Sequence, residues 1–294
     1  MELLALRTFV AVADAGGILA ASGQLNTVQS NVTNRIRRLE EELGTELFYR
    51  AGRGVALTPA GRVLLDYARQ MLALERQATQ AVRQAGEAVG DVRIGAMETF
   101  TALHLPAALR DLRARYPELN LRVYTDTSAA LIDKVLAHKL DCAFVAGPVN
   151  HPDLSFDQVL VEELVHVAVP GTDPARAPLI LFREGCAYRA RALAWQRSIG
   201  HPLNEVMEFG TLEGILGCVS VGLGWTLIPR RVIEQSAHAT ALQIIPLPAD
   251  IARVPTGMIR PKNQPPMRVL QTLADTLTAR GQRATDQGQT ACLT

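Results

Sequence analysis

No apolar run in this chain approaches the roughly twenty residues that a membrane-spanning helix needs, and the N-terminus lacks the basic-then-apolar order of a signal peptide. A cytoplasmic protein without membrane contact is the expectation. Cysteine is scarce: four in 294 residues, scattered, with no CxxC pair. That excludes a disulfide framework and a zinc site of the ribbon type. The six histidines stand singly, so no metal site and no bound cofactor is expected. Also missing are a GxSxG elbow, HExxH, a GxxxxGK[ST] loop and a GxGxxG turn. A nucleophile needs a positioned base and an oxyanion donor, so no catalytic residue is assigned and an enzyme is disfavoured. Charge of one sign is absent too. The formal net charge is +1. In the N-terminal segment Arg7, Arg35, Arg37, Arg38, Arg50 and Arg53 balance Glu2, Asp14, Glu40, Glu41, Glu42 and Glu46. A nucleic-acid footprint must therefore come from charge placement and not from net charge.

With 48% hydrophobic and 20% charged residues, the chain is globular and long enough for two or three domains. The stretch Asn26 to Gly44, NTVQSNVTNRIRRLEEELG, organises its first part. Val28, Val32, Ile36, Leu39 and Leu43 fall on one helical face. The opposite face opens with Gln29, Ser30, Thr33 and Asn34 and continues with Arg37 and Arg38. A helix built only for solubility usually shows Glu and Lys there. Gln and Asn pair with adenine edges, Ser and Thr meet several bases, and Arg reaches guanine or phosphate. The row from Gln29 to Asn34 reads as a DNA-recognition surface, with Arg37 and Arg38 as phosphate anchors or solvated charges.

Upstream, Leu3, Leu6, Phe9, Val10 and Ala13 predict an amphipathic helix, and Ile18 to Gln24 a second helix rich in small residues. With the Val28 helix they form a helix-turn-helix pattern. Leu47–Phe48 and Val55–Leu57 then predict two short strands around a glycine-bearing turn. Arg50 and Arg53 flank that turn, where a wing meets phosphates or the minor groove. Thr58–Pro59 opens a helix, Thr as N-cap and Pro at the first helical position, running to about Ala88. Leu64, Met71, Ala78 and Ala85, with Ala68, Val82 and Val89, give it an apolar seam that fits a second copy of itself.

These residues carry a resemblance. Met1 to Gly61 resembles the winged helix-turn-helix of the LysR-type transcriptional regulators. The match rests on Phe9, Ala20, Ala21, Leu25, Gln29, Val32, Thr33, Ile36, Leu39–Glu40, Leu43–Gly44, Leu47–Phe48, Arg50 and the run Leu57 to Gly61. Val28 stands where the family usually has Ser or Thr, so a cap from Asn26 or Thr27 is expected. Gly17 and Leu19 replace residues that are often polar.

Beyond Gly90, strand patterns (VRIGAM, LNLRVYT, LDCAFVAG) alternate with helices expected at Thr101 to Arg115 and Leu131 to His138, with a polar turn at Glu98 and Thr99. The series repeats with VEELVHVAVP, LILFRE, a helix near Tyr188 to Ile199, MEFGT, a helix from Leu212 to Val221, and GLGWTLIP. Alternation of this kind argues for parallel α/β lobes with a cleft between them. Gly95, Leu105–Pro106, Tyr116–Pro117, Leu140–Asp141, Gly222, Gly224 and Pro229 extend the resemblance to the family's periplasmic-binding-protein-like effector domain. The expected fold is thus α/β, with an N-terminal all-α winged helix-turn-helix domain (1–58), a long linker helix (59–89) and a two-lobed effector-binding domain (90–294). Lobe I comprises 90–160 and 265–294 and lobe II 161–264, with Pro261, Pro265 and Pro266 at the second crossing. A final helix from Met267 to about Arg280 precedes a polar, mobile tail.

By position, the resemblance carries an effector-binding role to Thr99 and Thr127, with Thr101 and Ser128 as neighbours for which simple helix capping is preferred. Helix N-termini at strand ends suit carboxylate or phosphate, and Arg183 is the chosen charge partner of an anionic effector, against a solvated surface arginine. Trp225 is assigned to core packing, and His104 to a capping or surface role. One branch of the family senses peroxide through a cysteine in the turn that holds Cys186. Here Ala187 takes that position and no resolving cysteine follows, so Cys186 is read as a structural or pocket residue. The resemblance implies a small-molecule effector of unknown identity and promoter DNA as partners. It also implies a homodimer through the linker helix, a homotetramer through the effector domains, and contact with RNA polymerase.

Overall fold

The computed structural model describes residues 1–52, 54–84, 90–200, 205–263 and 267–291. They fall into two compact units, Met1–Glu87 and Ala88–Thr294.

The first unit comprises α1 (Leu3–Ala15), α2 (Ile18–Gln24), α3 (Gln29–Leu43), a hairpin of β1 (Phe48–Ala51) and β2 (Gly54–Leu57), and α4 (Pro59–Gln84). Helix α1 buries Leu6, Phe9 and Val12, and α3 buries Val32, Ile36 and Leu39, the middle of the stripe its periodicity predicts, while Val28 and Leu43 at its two ends are exposed. Leu47 before the hairpin and Ala68 and Leu72 of α4 complete this core. Gly44 ends α3 at φ 66, the left-handed C-cap that glycine adopts without a Cβ penalty. Glu40 turns back from α3, and its Oε1 accepts the backbone N–H groups of Leu47 (2.8 Å) and Phe48 (3.3 Å). Helix α3 and the hairpin are thereby fixed to each other. Thr58 Oγ1 accepts from Gly61 N at 3.0 Å, the N-cap expected for α4.

Two expectations for this unit need correction. Helix α3 begins at Gln29 with Val28 as N-cap and no side-chain cap. Thr27 Oγ1 instead accepts from Asn31 Nδ2 at 3.1 Å, and Asn26 takes a left-handed φ of 49. The sharp exit from α2 therefore places Thr27 one residue too early to cap. The seam on α4 is also shifted. Leu64 and Ala68 pack on the unit's own core, and Arg7–Glu75 (2.8 Å) and Arg69–Asp14 (2.7 Å) flank that contact between α4 and α1. The uncovered apolar face is Val63, Tyr67, Met71, Leu74 and Val82, with Ala78 among them. Ala85 and Val89 lie outside the described residues.

The second unit runs β3 (Gly90–Ala96), α5 (Glu98–Leu103), α6 (Leu105–Arg115), β4 (Leu119–Thr125), α7 (Ser128–Leu136), β5 (Cys142–Ala146) and β6 (Leu154–Ala168). It continues with β7 (Leu179–Phe182), α8 (Ala187–Ser198), β8 (Val206–Phe209), α9 (Leu212–Ser220), β9 (Thr226–Pro229) and α10 (Arg230–Glu234). Last come β10 (Gln243–Pro246), α11 (Ala249–Ala252), β11 (Arg253–Pro261) and α12 (Arg268–Ala291). In lobe I, β4 and β5 flank β3 in parallel, and β11 joins β5 antiparallel. Strand β6 belongs to both lobes. Its first part pairs with β11, and its last residues pair with β9 and β10. In lobe II, β7 and β8 are parallel, and Leu179 of β7 bridges to Trp225.

The lobes are therefore mixed and not parallel throughout, because the two crossing strands β6 and β11 run in opposite directions. The return crossing lies in β11, earlier than residue 265; Pro265 and Pro266 fall outside the described residues. The helix expected from Thr101 is two helices broken at His104, with Pro106 in the first turn of α6, where its missing N–H and ring prevent continuation. Glu98 and Thr99 form the first turn of α5 and not a loop. Helix α12 continues past Arg280 to Ala291, so the segment from Gly281 is helical where a polar tail was expected.

Lobe I is built around Phe100 stacked on Phe144 (centroids 4.8 Å) and covered by Leu270, Leu273 and Leu277 of α12. Lobe II buries Ile180, Ile215, Leu216, Val219 and Ile228, with a second cluster around Trp225. Trp225 is fully buried, edge-on to Trp195 at 5.3 Å, which places it in the core as its neighbours implied. Among the described residues, no helix is long and apolar enough to cross a membrane.

Candidate functional site

Two surfaces carry the residues singled out above. On α3, Gln29, Ser30, Thr33 and Asn34 are all exposed. Val32 and Ile36 point the other way into the core, so the helical period alone presents the polar row outward. Arg37 is exposed and pairs with Glu41 at 3.1 Å in an i,i+4 contact, a solvated pair worth only tenths of a kcal/mol. Arg50 is exposed on β1. Arg53 lies outside the described residues.

The second surface is a cleft between the lobes enclosing about 330 Å³. Lobe I contributes Met97, Glu98 and Thr99 after β3, and Thr125, Asp126, Thr127 and Ser128 after β4. Lobe II contributes Phe182, Arg183, Cys186, Tyr188, Gly210 and Thr211. Each group follows a strand and leads into a helix, so unpaired N–H groups of α7, α8 and α9 gather at the cleft. Thr127 caps α7 through Ala130 N (3.4 Å), and Thr211 caps α9 through Gly214 N (3.3 Å).

Asp126 stands at the centre. Its Oδ2 meets Lys134 Nζ at 2.6 Å, and its Oδ1 meets Arg183 Nη2 at 2.6 Å and Thr127 N at 2.9 Å. Burial raises its pKa, but the hydrogen bonds from Lys134, Thr127 and Arg183 outweigh it and hold the carboxyl below its usual value. Arg183 and Asp126 join the lobes, as do Ala129 N to Gly185 O (3.2 Å) and Leu212 N to Glu98 Oε1 (2.7 Å). Beneath, the Tyr188 phenol donates to Glu162 Oε2, which also accepts from Thr256 Oγ1 at 2.8 Å. His104 Nε2 approaches Glu162 Oε1 at 3.7 Å, so His104 faces this network and not the surface. Glu162 is on β6 and Thr256 on β11, so the floor of the cleft is tied to both crossing strands. Burial, then the Glu162 charge beside it, pushes the Tyr188 pKa far up.

The sequence-picked residues divide here. Thr99, Thr127, Ser128 and Arg183 line the cleft. The Thr99 hydroxyl is buried beside Tyr188 and makes no hydrogen bond of normal geometry. The Ser128 hydroxyl is taken by Met97 Sδ at 3.2 Å. Thr101 does not line it; its hydroxyl turns back to Met97 O at 2.9 Å along α5, which removes it from the effector set. Cys186 is the N-cap of α8 and lines the cleft, and burial pushes its pKa up despite nearby backbone N–H groups. A thiol so held is a poor nucleophile, in line with the structural reading. Glu98, Asp126 and Lys134 were missed. Asp126 sits directly between the end of β4 and the N-cap Thr127, and attention to the hydroxyls passed over the acid beside them.

Comparison with known proteins then places both surfaces. The profile described as "Bacterial regulatory helix-turn-helix protein, lysR family" matches residues 3–62, and "LysR substrate binding domain" matches residues 85–282. The chain is 38% identical over 282 residues to the HTH-type transcriptional regulator YusT of Bacillus subtilis, covering 95% of this chain and 96% of YusT. It is 41% identical over 251 residues to the HTH-type transcriptional regulator YofA of the same organism, covering 84% and 88%. Among solved structures, full-length OxyR from Pseudomonas aeruginosa superposes with a TM-score of 0.72 at 24% identity, covering 94% of both chains.

Proposed function

The chain belongs to the LysR family of DNA-binding transcriptional regulators with an effector-binding domain, and from that premise we propose which of its residues read DNA and sense the effector. Gln29, Ser30, Thr33 and Asn34 read base edges in the major groove, and Arg50 anchors the wing on phosphate. The cleft holds a small-molecule effector against Thr99, Thr127 and Arg183. The observation that carries this reading is a pairing of features in one chain. Four exposed amide and hydroxyl side chains stand on α3 with no protein partner among the described residues. A buried hydroxyl, Thr99, stands beside Tyr188 without a hydrogen bond of normal geometry, at a cleft where three helix N-termini meet.

Two chains associate through Val63, Tyr67, Met71 and Leu74 of α4, and effector domains of different subunits complete a tetramer. Two winged helices so paired select a site with dyad symmetry. The effector is the only small molecule the reading requires, the site of action is the cytoplasm, and the bound promoter brings the regulator to RNA polymerase. Because the lobes are bridged by Arg183–Asp126, Ala129–Gly185 and Glu98–Leu212, a ligand there shifts the balance between lobe arrangements.

Selection of bound fragments from genomic DNA tests the DNA half. The full-length protein enriches a small set of dyad-symmetric sites. Asn34→Ala lowers specific binding while leaving salt-sensitive, non-specific binding nearly intact. Equal loss on every sequence would remove Asn34 from the reading surface.

A further inference from the structure

The cleft contains an imbalance of charge contacts. Its lining holds two carboxylates, Glu98 and Asp126, and one cation, Arg183, with Lys134 reaching Asp126 from α7. Asp126 takes both cations, Lys134 on Oδ2 and Arg183 on Oδ1, each at 2.6 Å. Glu98 takes neither. Its Oε1 accepts the N–H of Leu212 at 2.7 Å, and among the described residues no cation meets this half-buried carboxylate. Arg183 in turn uses a single nitrogen on Asp126, leaving most of the five N–H donors of its guanidinium open to the cleft. The Thr99 hydroxyl, 1% exposed and beside Tyr188 with no hydrogen bond of normal geometry, adjoins Glu98 at the same wall.

A ligand with only a carboxylate would pair with Arg183 but bring a second anion against Glu98. A ligand with only an ammonium would pair with Glu98 but leave Arg183 and the converging helix N-termini unanswered. A molecule with both groups answers each and adds no net charge to the cleft. Resting on the reading of the cleft as the effector site, we propose that its ligand is a zwitterionic amino-carboxylate, an amino acid in the broad sense. Its carboxylate lies on Arg183, its ammonium on Glu98, and its remaining carbons meet Met97 and Phe182. A volume of about 330 Å³ suits a molecule of that size. Glu98 is the residue that selects for the ammonium.

Calorimetric titration of the full-length protein tests this with the twenty common L-amino acids, β-alanine and γ-aminobutyrate. Each binder is compared with its deaminated carboxylate and its decarboxylated amine. The expected result is at least one zwitterion bound tenfold or more tightly than either matched analogue. Glu98→Gln keeps the oxygen that accepts from Leu212 and removes the charge, so it brings zwitterion and plain carboxylate to within about twofold of each other. Equal binding of carboxylate and zwitterion by the natural protein, discrimination unchanged in Glu98→Gln, or no binding of any zwitterion would overturn the inference; the first two leave the cleft as a ligand site. A zwitterion whose binding is unaffected by both Thr99→Val and Arg183→Gln would overturn the cleft reading itself.

Discussion

Gly185 has φ +87, and a Cβ built there would stand 2.8 Å from Thr127 Oγ1. Glycine is required at this point for two reasons, the left-handed backbone and the approach of the lobes. Gly185→Ala is expected to cost roughly 1–2 kcal/mol of backbone strain, seen as a lowered melting temperature, and to displace Thr127 from the cleft. An unchanged melting curve would show that the turn relaxes freely. His166 is 1% exposed in lobe II, between Trp195 and Trp225, and burial pushes its pKa down to about 4. The unfolded chain, with an ordinary histidine near 6.5, binds a proton that the folded chain refuses between these values. Stability is thus full above pH 6.5 and is lost as pH falls toward 4, on the order of 2 kcal/mol between pH 6.5 and 5. His166→Phe keeps the aromatic packing and is expected to flatten that part of the stability–pH curve measured by urea denaturation. A curve as steep as the natural protein's would assign the acid sensitivity elsewhere.

Helices α3 and α4 each present one face to the core and one outward, and the outward faces differ in chemistry. That of α3 is amide and hydroxyl; that of α4 is apolar, with Leu74 and Val63 each 60% exposed. Leu74→Glu is expected to leave the first unit folded, since Leu74 is not in its core, and to reduce the tetramer to dimers joined by their effector domains in sedimentation at micromolar concentration. Retained tetramers would place the interface off α4. On the wing, Arg50→Ala is expected to weaken binding on all sequences alike and to lower the salt slope by about 1. A sequence-dependent loss would make Arg50 a base reader.

At this scale the residues were most legible where the signal is local. The period of α3, the Gly44 stop and the Thr58–Pro59 start all follow from side chains within a turn or two of each other. The seam of α4 was legible in part: Met71, Ala78 and Val82 are uncovered as expected, whereas Leu64 and Ala68 pack on the core, because the side that α1 covers is set by packing between segments far apart in sequence. The break between α5 and α6 was signalled by Pro106 but not its consequence, a short helix that turns Glu98 and Thr99 into the cleft. The first crossing, expected at residues 160 and 161 from the resemblance, falls inside β6, but that this one strand pairs in both lobes was illegible, since strand partners are set by non-local pairing.

For the molecule as a whole, a DNA-reading unit and a ligand-binding unit share one chain, and the family to which it belongs makes regulation their common purpose. The class of function was open to the sequence because the winged helix-turn-helix pattern is dense and local. The cleft was open only in part: the hydroxyls Thr99 and Thr127 could be placed by resemblance. The charges that give the cleft its polarity, Glu98 on α5, Asp126 in the turn before α7 and Lys134 on α7, come together only on folding. The lobe bridges also make control physical, because a ligand that differs in affinity for the bridged and unbridged arrangements biases them by that difference and no more. The most direct test is a nuclease footprint of the full-length protein on a promoter it selects from genomic DNA, with and without a deproteinised small-molecule extract of cells, in parallel for the natural protein and Thr99→Val. The account predicts that the extract alters the extent or the hypersensitive sites of the natural footprint, and that Thr99→Val binds the same DNA with no such response. An identical response from Thr99→Val would contradict it.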